Sequence, residues 1–554
     1  MPTASASGLS KSLRPCCGCY DRDSSGCAAA AFASGARGGL GSSVEAREYD
    51  AIVVGAGIGG LVAGSLLAAR GFDVLVLEQH SAPGGSASCF ERKGYRFDVG
   101  ASLFYGLAPS GTTCFVHKVL DELGETLDVV HDPVQIHYHL PGGREVRTHY
   151  DRDRFLDELV GIFPGEEKGI RRFYGRVDAF FQRLNRMPFE SIEDVDHLVR
   201  VARSFPLGTM QLMYYSIVDI GRIARRYMKD PDLLSFIEIE CYAWALTGAS
   251  QVPFINGAIV LGDRHYGGIH YPRGGSQEIA ESFVRGLRRH GGEIRFRTSV
   301  DEILVEGGEA RGVRLSSGET IRSRSVVSNA TYAQTFGRLV APESTESAKA
   351  LRSVERFETA PSFFSIFAGI DASIVPDGFS THHIVVDDWS RMRDEAGTIF
   401  VSMPSLHDPS VAPEGRHVLH AFISHRESSW PKRGKDYRVQ KRELTDLVLG
   451  RLESIIPGLR GAVDHIEAAT PRTNERYIHR PGGTYGLLLR RSRDLMLRPQ
   501  NTTPVRNLFC AGDSCFPGQG VTAVAASGAA CARIVEKRVG ARVARPSARE
   551  VTVS

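Results

Sequence analysis

The pattern of apolar and polar positions predicts a strand–glycine–helix–strand unit near the N-terminus. Residues 49–54 (YDAIVV) form an apolar, β-branched run that is typical of a buried strand. The glycines of residues 55–60 (GAGIGG) follow, and residues 61–71 then place Leu and Ala at helical spacing before a final glycine. Residues 73–77 (DVLVL) predict a second buried strand that ends at Glu78. This order is typical of a dinucleotide-binding βαβ unit.

The glycine run fits the G-x-G-x-x-G pattern, in which each glycine has a physical task. Gly55 permits the tight turn, Gly57 lets the backbone approach a pyrophosphate, and Gly60 allows close packing of helix and strand. The helix that follows presents its N-terminal amides and positive dipole end to the phosphates. Glu78 comes eighteen residues after Gly60, where an acid can bond the adenosine ribose and repel a 2′-phosphate.

Three later stretches extend the site. A second glycine pair closes residues 80–85 (HSAPGG), directly after the βαβ unit, and residues 293–300 (EIRFRTSV) predict a strand of alternating type. Near the C-terminus, residues 507–513 (NLFCAGD) predict a short apolar strand that ends in Gly-Asp, and a small-residue helix follows over 521–535. Gly-Asp before a helix is also compatible with a turn and cap alone.

Together these pieces resemble the amine-oxidase-like and carotene-desaturase-like flavoproteins, which implies FAD as the cofactor. The resemblance implies that Asp513 bonds the ribitol chain, that the last helix points at the flavin pyrimidine edge, and that Val300 makes a backbone contact to the adenine. The candidate FAD-binding residues are Gly55, Gly57, Gly59, Gly60, Glu78, Gly84, Gly85, Val300, Gly512, Asp513, Gly520 and Val521.

A narrower resemblance covers residues 50–539. Residues 94–104, 263–275, 483–486 and 510–520 are similar to those of the prolycopene isomerases, plastid carotenoid cis–trans isomerases. The resemblance implies that bound reduced FAD converts poly-cis lycopene to the all-trans form. Three departures leave the exact carotenoid open, namely residues 487–489 (LLL), Asn474 and Arg273.

Candidates for acid–base assistance are few. His265 and Arg264 stand beside a glycine pair in a stretch that approaches the cofactor in the resembling family. A hydrogen-bonded packing role for His265 is the alternative. Residues 205–215 join Met, Tyr and Leu to the basic Arg222, Arg225 and Arg226, which predicts either an interfacial helix that collects substrate from lipid or an internal core helix.

The predicted fold class is α/β, with a discontinuous Rossmann-type FAD-binding domain of the amine-oxidase and carotene-desaturase type and an inserted α+β domain that faces substrate and membrane. The predicted segments are a plastid transit peptide (1–45), an initial FAD-binding segment (48–150), a helical insertion (151–257), a middle FAD-binding segment (258–335), a substrate domain (336–480), a final FAD-binding segment (481–540) and a tail (541–554).

Composition and net charge limit the binding partners and the cellular location that we expect. A formal net charge of +3 over 554 residues makes nucleic acid an unlikely partner. The first 43 residues are rich in Ser, Ala, Gly and Arg, which is typical of an organelle transit peptide, and the resemblance favours the plastid. No run of about 18 apolar residues occurs, so peripheral membrane attachment is the mode we expect. The spacing of the ten cysteines indicates no metal site.

Three functions remain open at this point. The first is redox-neutral isomerisation of a cis-carotenoid. The second is desaturation, saturation or hydration of another polyene or xanthophyll by the same fold, and the third is flavin or carotenoid binding without turnover. No second strand–G-x-G-x-x-G–helix unit is evident in the sequence, so we expect an external reductant rather than a built-in nicotinamide domain.

Overall fold

The computed structural model describes residues 47–540, except residues 101, 112, 188–190, 432 and 489–497. The predicted transit peptide and C-terminal tail lie outside these residues. The described residues form two seven-stranded sheets, two short two-stranded sheets and a set of helices. Their mixed α/β architecture confirms the predicted fold class.

The strands of the described residues are numbered in chain order. They are β1 (Glu48–Val54), β2 (Val74–Leu77), β3 (Cys89–Arg92), β4 (Tyr95–Asp98), β5 (Val129–Asp132), β6 (Val134–Leu140), β7 (Arg144–His149), β8 (Ile269–Pro272), β9 (Glu293–Arg295), β10 (Val300–Glu306), β11 (Glu309–Leu315), β12 (Thr320–Ser328), β13 (Ser362–Asp371), β14 (His382–Val386), β15 (Thr398–Ser402), β16 (Arg416–His425), β17 (Val463–Ala469) and β18 (Leu508–Cys510).

The α-helices are numbered in the same way. They are α1 (Ile58–Ala69), α2 (Phe115–Leu123), α3 (Arg152–Ile162), α4 (Glu167–Asn185), α5 (Val195–Ser204), α6 (Pro206–Ile217), α7 (Ile220–Tyr227), α8 (Pro231–Ala245), α9 (Phe254–Asp263), α10 (Gln277–Arg289), α11 (Tyr332–Gln334), α12 (Thr345–Glu355), α13 (Lys435–Leu452), α14 (Leu459–Ala462), α15 (Pro471–Ile478) and α16 (Val521–Val539).

The first sheet has a parallel centre built from distant segments. Its parallel strands run in the order β9, β2, β1, β12 and β18, while β10 and β11 continue from β12 as antiparallel strands. Val54 at the end of β1 pairs with Leu77 of β2 and Ser328 of β12. The carboxyl ends of these strands therefore meet at one edge, the position where open parallel sheets bind ligands.

One prediction from the sequence is wrong at this sheet. The alternation through residues 293–300 predicts a single strand, but the structure has β9 ending at Arg295 and β10 starting at Val300. Arg297 between them has φ 53°, a left-handed conformation that a continuous strand does not allow. The break lets β9 pair parallel with β2 while β10 pairs antiparallel with β11.

Helices α1, α10 and α16 cover one face of this sheet through a common apolar core. Helix α16 packs closely on α1 at Gly528, since a Cβ on this residue would collide with the Gly59 carbonyl oxygen at 2.4 Å. Residues 58–68 are all buried, so α1 is apolar around its whole circumference rather than along one stripe.

The second sheet follows the order β17, β13, β16, β15, β14, β6 and β7. Strands β6 and β7 fall inside the predicted initial FAD-binding segment, yet β6 pairs parallel with β14 in this sheet. Helices α3, α4 and α6 to α9 share an apolar core with one face of the sheet, where Tyr138 and Ile384 contribute. Among the described residues, no helix combines the length and hydropathy that crossing a bilayer requires.

Candidate functional site

The turn between β1 and α1 has the geometry that its glycines predict. Gly55 has φ 98°, which a residue with a side chain rarely adopts. Gly57 is the N-cap of α1, and no side chain caps this helix. The N-terminal backbone of α1 is therefore open to an anionic group, with the positive end of the helix dipole beside it.

The glycine turn is packed so closely that it tolerates no side chains. A Cβ on Gly57 would lie 2.5 Å from the Oδ1 atom of Asn329, and one on Gly60 would lie 2.4 Å from the Gly55 carbonyl oxygen. A Cβ on Gly59 would lie 3.1 Å from the backbone of Gly512. Backbone from the two ends of the sequence is thus in direct proximity here.

Asn329, which the sequence did not single out as a site residue, joins these pieces. Its backbone N–H donates to the Val54 carbonyl (2.8 Å), and its Nδ2 donates to the Ala511 carbonyl (2.7 Å). Its side chain lies against Gly55, Gly57 and Gly60. One amide therefore ties the end of β12 to the glycine turn and to the segment after β18.

Glu78 and Val300 lie on the adjoining stretch of the edge. The Glu78 carboxylate accepts the N–H groups of Ala56 (2.7 Å) and His80 (2.9 Å). The Glu78 carbonyl accepts the N–H of Thr298 (2.8 Å), which places the start of β10 beside it. Glu78 is thus held next to the glycine turn with Val300 nearby, as an adenosine-binding role requires. Both roles stay predictions.

The second glycine pair lies against the first. The N–H of Gly84 donates to the Ala56 carbonyl (2.8 Å), and Gly84 forms a bridge with Gly57. Gly84 and Gly85 have φ values of 112° and 57°, so both use conformations that favour glycine. The glycine turn (residues 55–60), Asn329 and Glu78 form a cradle at this edge of the sheet, and the pair adds backbone rather than side chains to its border.

The C-terminal segment brings Gly512 and Asp513 to the same edge. Asp513 Oδ2 forms an ion pair with Arg480 Nη1 (2.5 Å), a partner that the sequence did not reveal. Helix α16 begins after Gly520 (φ 96°) with no side-chain cap. Its first turn is anchored because Thr522 Oγ1 donates to the Tyr105 carbonyl (2.9 Å).

These features fit FAD. The cradle offers two uncapped helix N-termini, at Gly57 and Gly520, and a glycine surface where a Cβ on Gly57, Gly59 or Gly60 would collide with neighbouring atoms. A carboxylate stands at each side of it, Glu78 and Asp513, and both residues are buried. Backbone amides for a pyrophosphate and carboxylates for hydroxyl groups are the donors and acceptors that a flavin dinucleotide requires.

The predicted catalytic residue Arg264 belongs to a buried ion pair. Its Nη2 donates to Glu240 Oε1 (2.6 Å), and the two side chains are 5% and 1% exposed. Burial acts to lower the pKa of Arg264, but Glu240 and Tyr105 raise it, so the guanidinium keeps its charge. The Tyr105 carbonyl accepts the hydrogen bond from Thr522 at the start of α16.

His265, the second predicted catalytic residue, is held by neighbouring protein groups. Its Nδ1–H donates to the Tyr150 carbonyl (3.0 Å), and its ring lies 5.7 Å from that of Phe155. Burial, followed by the charge of Arg264, lowers the pKa of His265 to about 3. The ring is therefore neutral near pH 7 and holds no proton to donate from its second nitrogen. Its catalytic role stays a prediction.

An aromatic row leads from Asp513 into the helical core. Burial, and then the charge of Asp513, raises the pKa of Tyr485, whose ring meets that of Phe363 at 5.5 Å. Phe363 contacts Phe422 (5.1 Å), which stacks on Phe400 (4.9 Å). The row lies on the face of the second sheet that shares its core with α3, α4 and α6 to α9. These rings form a continuous series of aromatic contacts within the apolar core.

Comparison with known proteins agrees with this geometry. The family model for flavin containing amine oxidoreductases matches residues 58–535. The chain is 42% identical over 510 residues to the chloroplastic prolycopene isomerase of Daucus carota, covering 91% of this chain and 82% of that protein. It is 42% identical over 500 residues to the chloroplastic prolycopene isomerase of Arabidopsis thaliana, covering 89% and 83%.

A solved structure has the same fold. An oxidoreductase from Methanosarcina mazei superposes with a TM-score of 0.60 at 19% identity, covering 86% of this chain and 98% of that one. The similarity therefore includes most of each chain.

Proposed function

The chain belongs to the prolycopene isomerase family of flavin containing amine oxidoreductases, and we propose that it converts poly-cis lycopene or a related cis-carotenoid to the all-trans form with FAD as its cofactor. The observation that carries this proposal is 42% identity over 91% of the chain, together with the FAD cradle around Gly57 and Asn329. The relatives are named chloroplastic, so we assign the protein to the plastid.

When bound in its reduced state, FAD would supply electron density that lowers the order of a double bond in the polyene, with no net change in oxidation state. The chain itself must hold the polyene straight and keep water away, tasks suited to the row formed by Tyr485, Phe363 and Phe422. The uncapped N-terminus of α16 faces the cradle with the positive end of its dipole and stabilises negative charge there.

The decisive test is an anaerobic assay with the purified protein, FAD, a chemical reductant and poly-cis lycopene in liposomes. We expect all-trans product of unchanged mass, formed with reduced but not with oxidised flavin. A product shifted by two hydrogens would instead establish the desaturase or saturase alternative, and an added water would establish the hydratase. Because the expected reaction is redox-neutral, the reductant is needed only to prepare the flavin, and we propose that an external donor supplies it in the plastid.

We also propose that the protein binds the plastid membrane peripherally through α5 and α6. Large apolar side chains on these two helices are 40–72% exposed: Val195, Leu198, Val199, Leu207, Met210, Met213, Tyr214 and Ile217. Exposed arginines lie on these helices or contact them: Arg200 and Arg203 are on α5, and Arg183 donates to Gln211 of α6. An exposed apolar surface with a basic border is typical of a helix pair that lies in an anionic lipid interface.

The double variant Leu207→Asp/Met213→Asp is expected to lower partitioning onto vesicles of phosphatidylcholine and phosphatidylglycerol about 100-fold or more. The two side chains are 72% and 69% exposed, and each loses about 1.5–3 kcal/mol of burial in lipid when replaced by a carboxylate. Co-sedimentation measures the effect. Leu447→Asp is the matched control, since Leu447 is 46% exposed but lies on α13. Unchanged binding of the double variant would exclude α6 as the docking helix.

A further inference from the structure

Three histidines lie together on the second sheet, outside the FAD cradle. His137 and His139 are on β6, and His383 is on β14, where it pairs with His137. One imidazole nitrogen of each histidine lies within 4.8 Å of the other two. Because the alternate residues Tyr138 and Ile384 point into the core shared with the helices, the histidines lie on the opposite face.

The outer hydrogen bonds fix where the protons of these rings reside. His383 Nε2 lies 2.8 Å from the Ser380 carbonyl oxygen, which can only accept, so Nε2 carries the proton. A neutral His383 therefore has its lone pair on Nδ1. This atom lies 2.9 Å from Nε2 of His139.

Glu145 lies behind the other two rings. Its carboxylate accepts from His137 Nε2 (3.0 Å) and lies 3.4 Å from His139 Nδ1. Because His383 Nδ1 carries the lone pair, His139 Nε2 donates to it across the 2.9 Å contact. A metal ion bound by these two nitrogens would displace that proton, and Glu145 would then accept from Nδ1 of His139.

One ion can occupy the space between the three ring nitrogens, which lie within 4.8 Å of one another. Neutral imidazoles with fixed lone pairs are the form in which histidine binds zinc.

We propose that His137, His139 and His383 bind one Zn²⁺ ion, with Glu145 and the Ser380 carbonyl orienting the rings from behind. Hydrogen bonds of this kind to the outer nitrogens are the usual support of zinc-bound histidines. The Glu145 side chain is 47% exposed, so an ion can enter from solvent. Bound zinc would join β6 to β14, strands that lie far apart in sequence, and would thereby stabilise the second sheet.

The test uses the full FAD-loaded chain, stripped with a chelator and titrated with zinc chloride. We expect about one tightly bound Zn²⁺ per chain by calorimetry and elemental analysis. At about 100-fold excess over Kd, Tm should rise by roughly 2–3 °C for a domain of this size. His139→Gln and His383→Gln should each lower zinc affinity about 100-fold or more and remove the rise in Tm.

His465→Gln is the matched control. His465 lies on β17 of the same sheet, 3.6 Å from a carboxylate oxygen of Glu467, but it is not a member of the three-histidine cluster. The zinc affinity of this variant should equal that of the wild type. X-ray absorption on the zinc-loaded wild type counts imidazole ligands without any variant. Absence of saturable binding, or fewer than about two imidazoles on the ion, would overturn the proposal.

Discussion

Gly57→Leu is expected to abolish retention of FAD. A side chain at this position meets Asn329 Oδ1 at 2.5 Å from its first carbon, and the remaining carbons occupy the space before the N-terminus of α1. Gly57 itself has φ −69°, so the backbone accepts leucine and the effect is confined to the cradle. We expect bound flavin to fall about tenfold or more, equivalent to at least ~1.4 kcal/mol of binding free energy.

The measurement is the ratio of flavin to protein absorbance after gel filtration, with far-ultraviolet circular dichroism to verify folding. Gly175→Leu is the control, because a Cβ on Gly175, within α4, meets nothing within 4 Å. A folded Gly57→Leu protein that remains yellow would show that the pyrophosphate lies elsewhere. The same measurement applies to Glu78, since a variant at that position should weaken FAD binding without steric conflict.

Glu240→Leu is expected to lower the free energy of unfolding by about 3–5 kcal/mol. The change leaves the charge of Arg264 buried without its carboxylate, and it removes the acceptor of the Tyr174 hydroxyl (3.0 Å). Chemical denaturation of the FAD-bound protein measures the loss. Glu122→Gln is the control, since the ion pair of Glu122 with Arg70 is partly exposed and should contribute about 1 kcal/mol or less.

A second substitution separates the charge effect from the loss of packing. Glu240→Leu/Arg264→Met removes both charges, and we expect it to recover most of the lost stability, because an apolar pair of similar volume replaces a buried ion pair at little cost. Failure to recover would show that the ion pair itself stabilises the fold. If Arg264 also takes part in the reaction, as its position in sequence predicts, the double variant is stable but slow. A wild-type rate would contradict that prediction.

The FAD cradle was predictable where the chemistry is local. The spacing of Gly55, Gly57 and Gly60 between two apolar runs predicts a tight turn followed by a helix, and the structure has both at these residues. Arg297 marks the limit of such patterns, since the alternation through residues 293–300 hides the turn that separates β9 from β10. The left-handed backbone conformation of Arg297 ends the strand although the alternation of apolar and polar residues continues.

What the sequence could not reveal depends on contacts between distant segments. Asn329 acquires its role only because the ends of β1, β12 and β18 meet around it. Arg480 becomes the partner of Asp513 in the same way. His139 and His383 are 244 residues apart, and no spacing rule connects them. Pairing of β6 with β14 creates that cluster.

The first sheet combines strands from both ends of the sequence, so its parallel centre is complete only after nearly the whole chain has been synthesised. The turn at Gly57 leaves the ribosome early, but β18 follows roughly 450 residues later, which takes about 20–90 s at ordinary elongation rates. Until then the nascent chain lacks Gly512, the start of α16 and the acceptor of the Asn329 amide. FAD capture therefore requires the C-terminal segment as well as the glycine turn, and a partly folded chain that lacks β18 exposes an unpaired edge of β12 to aggregation.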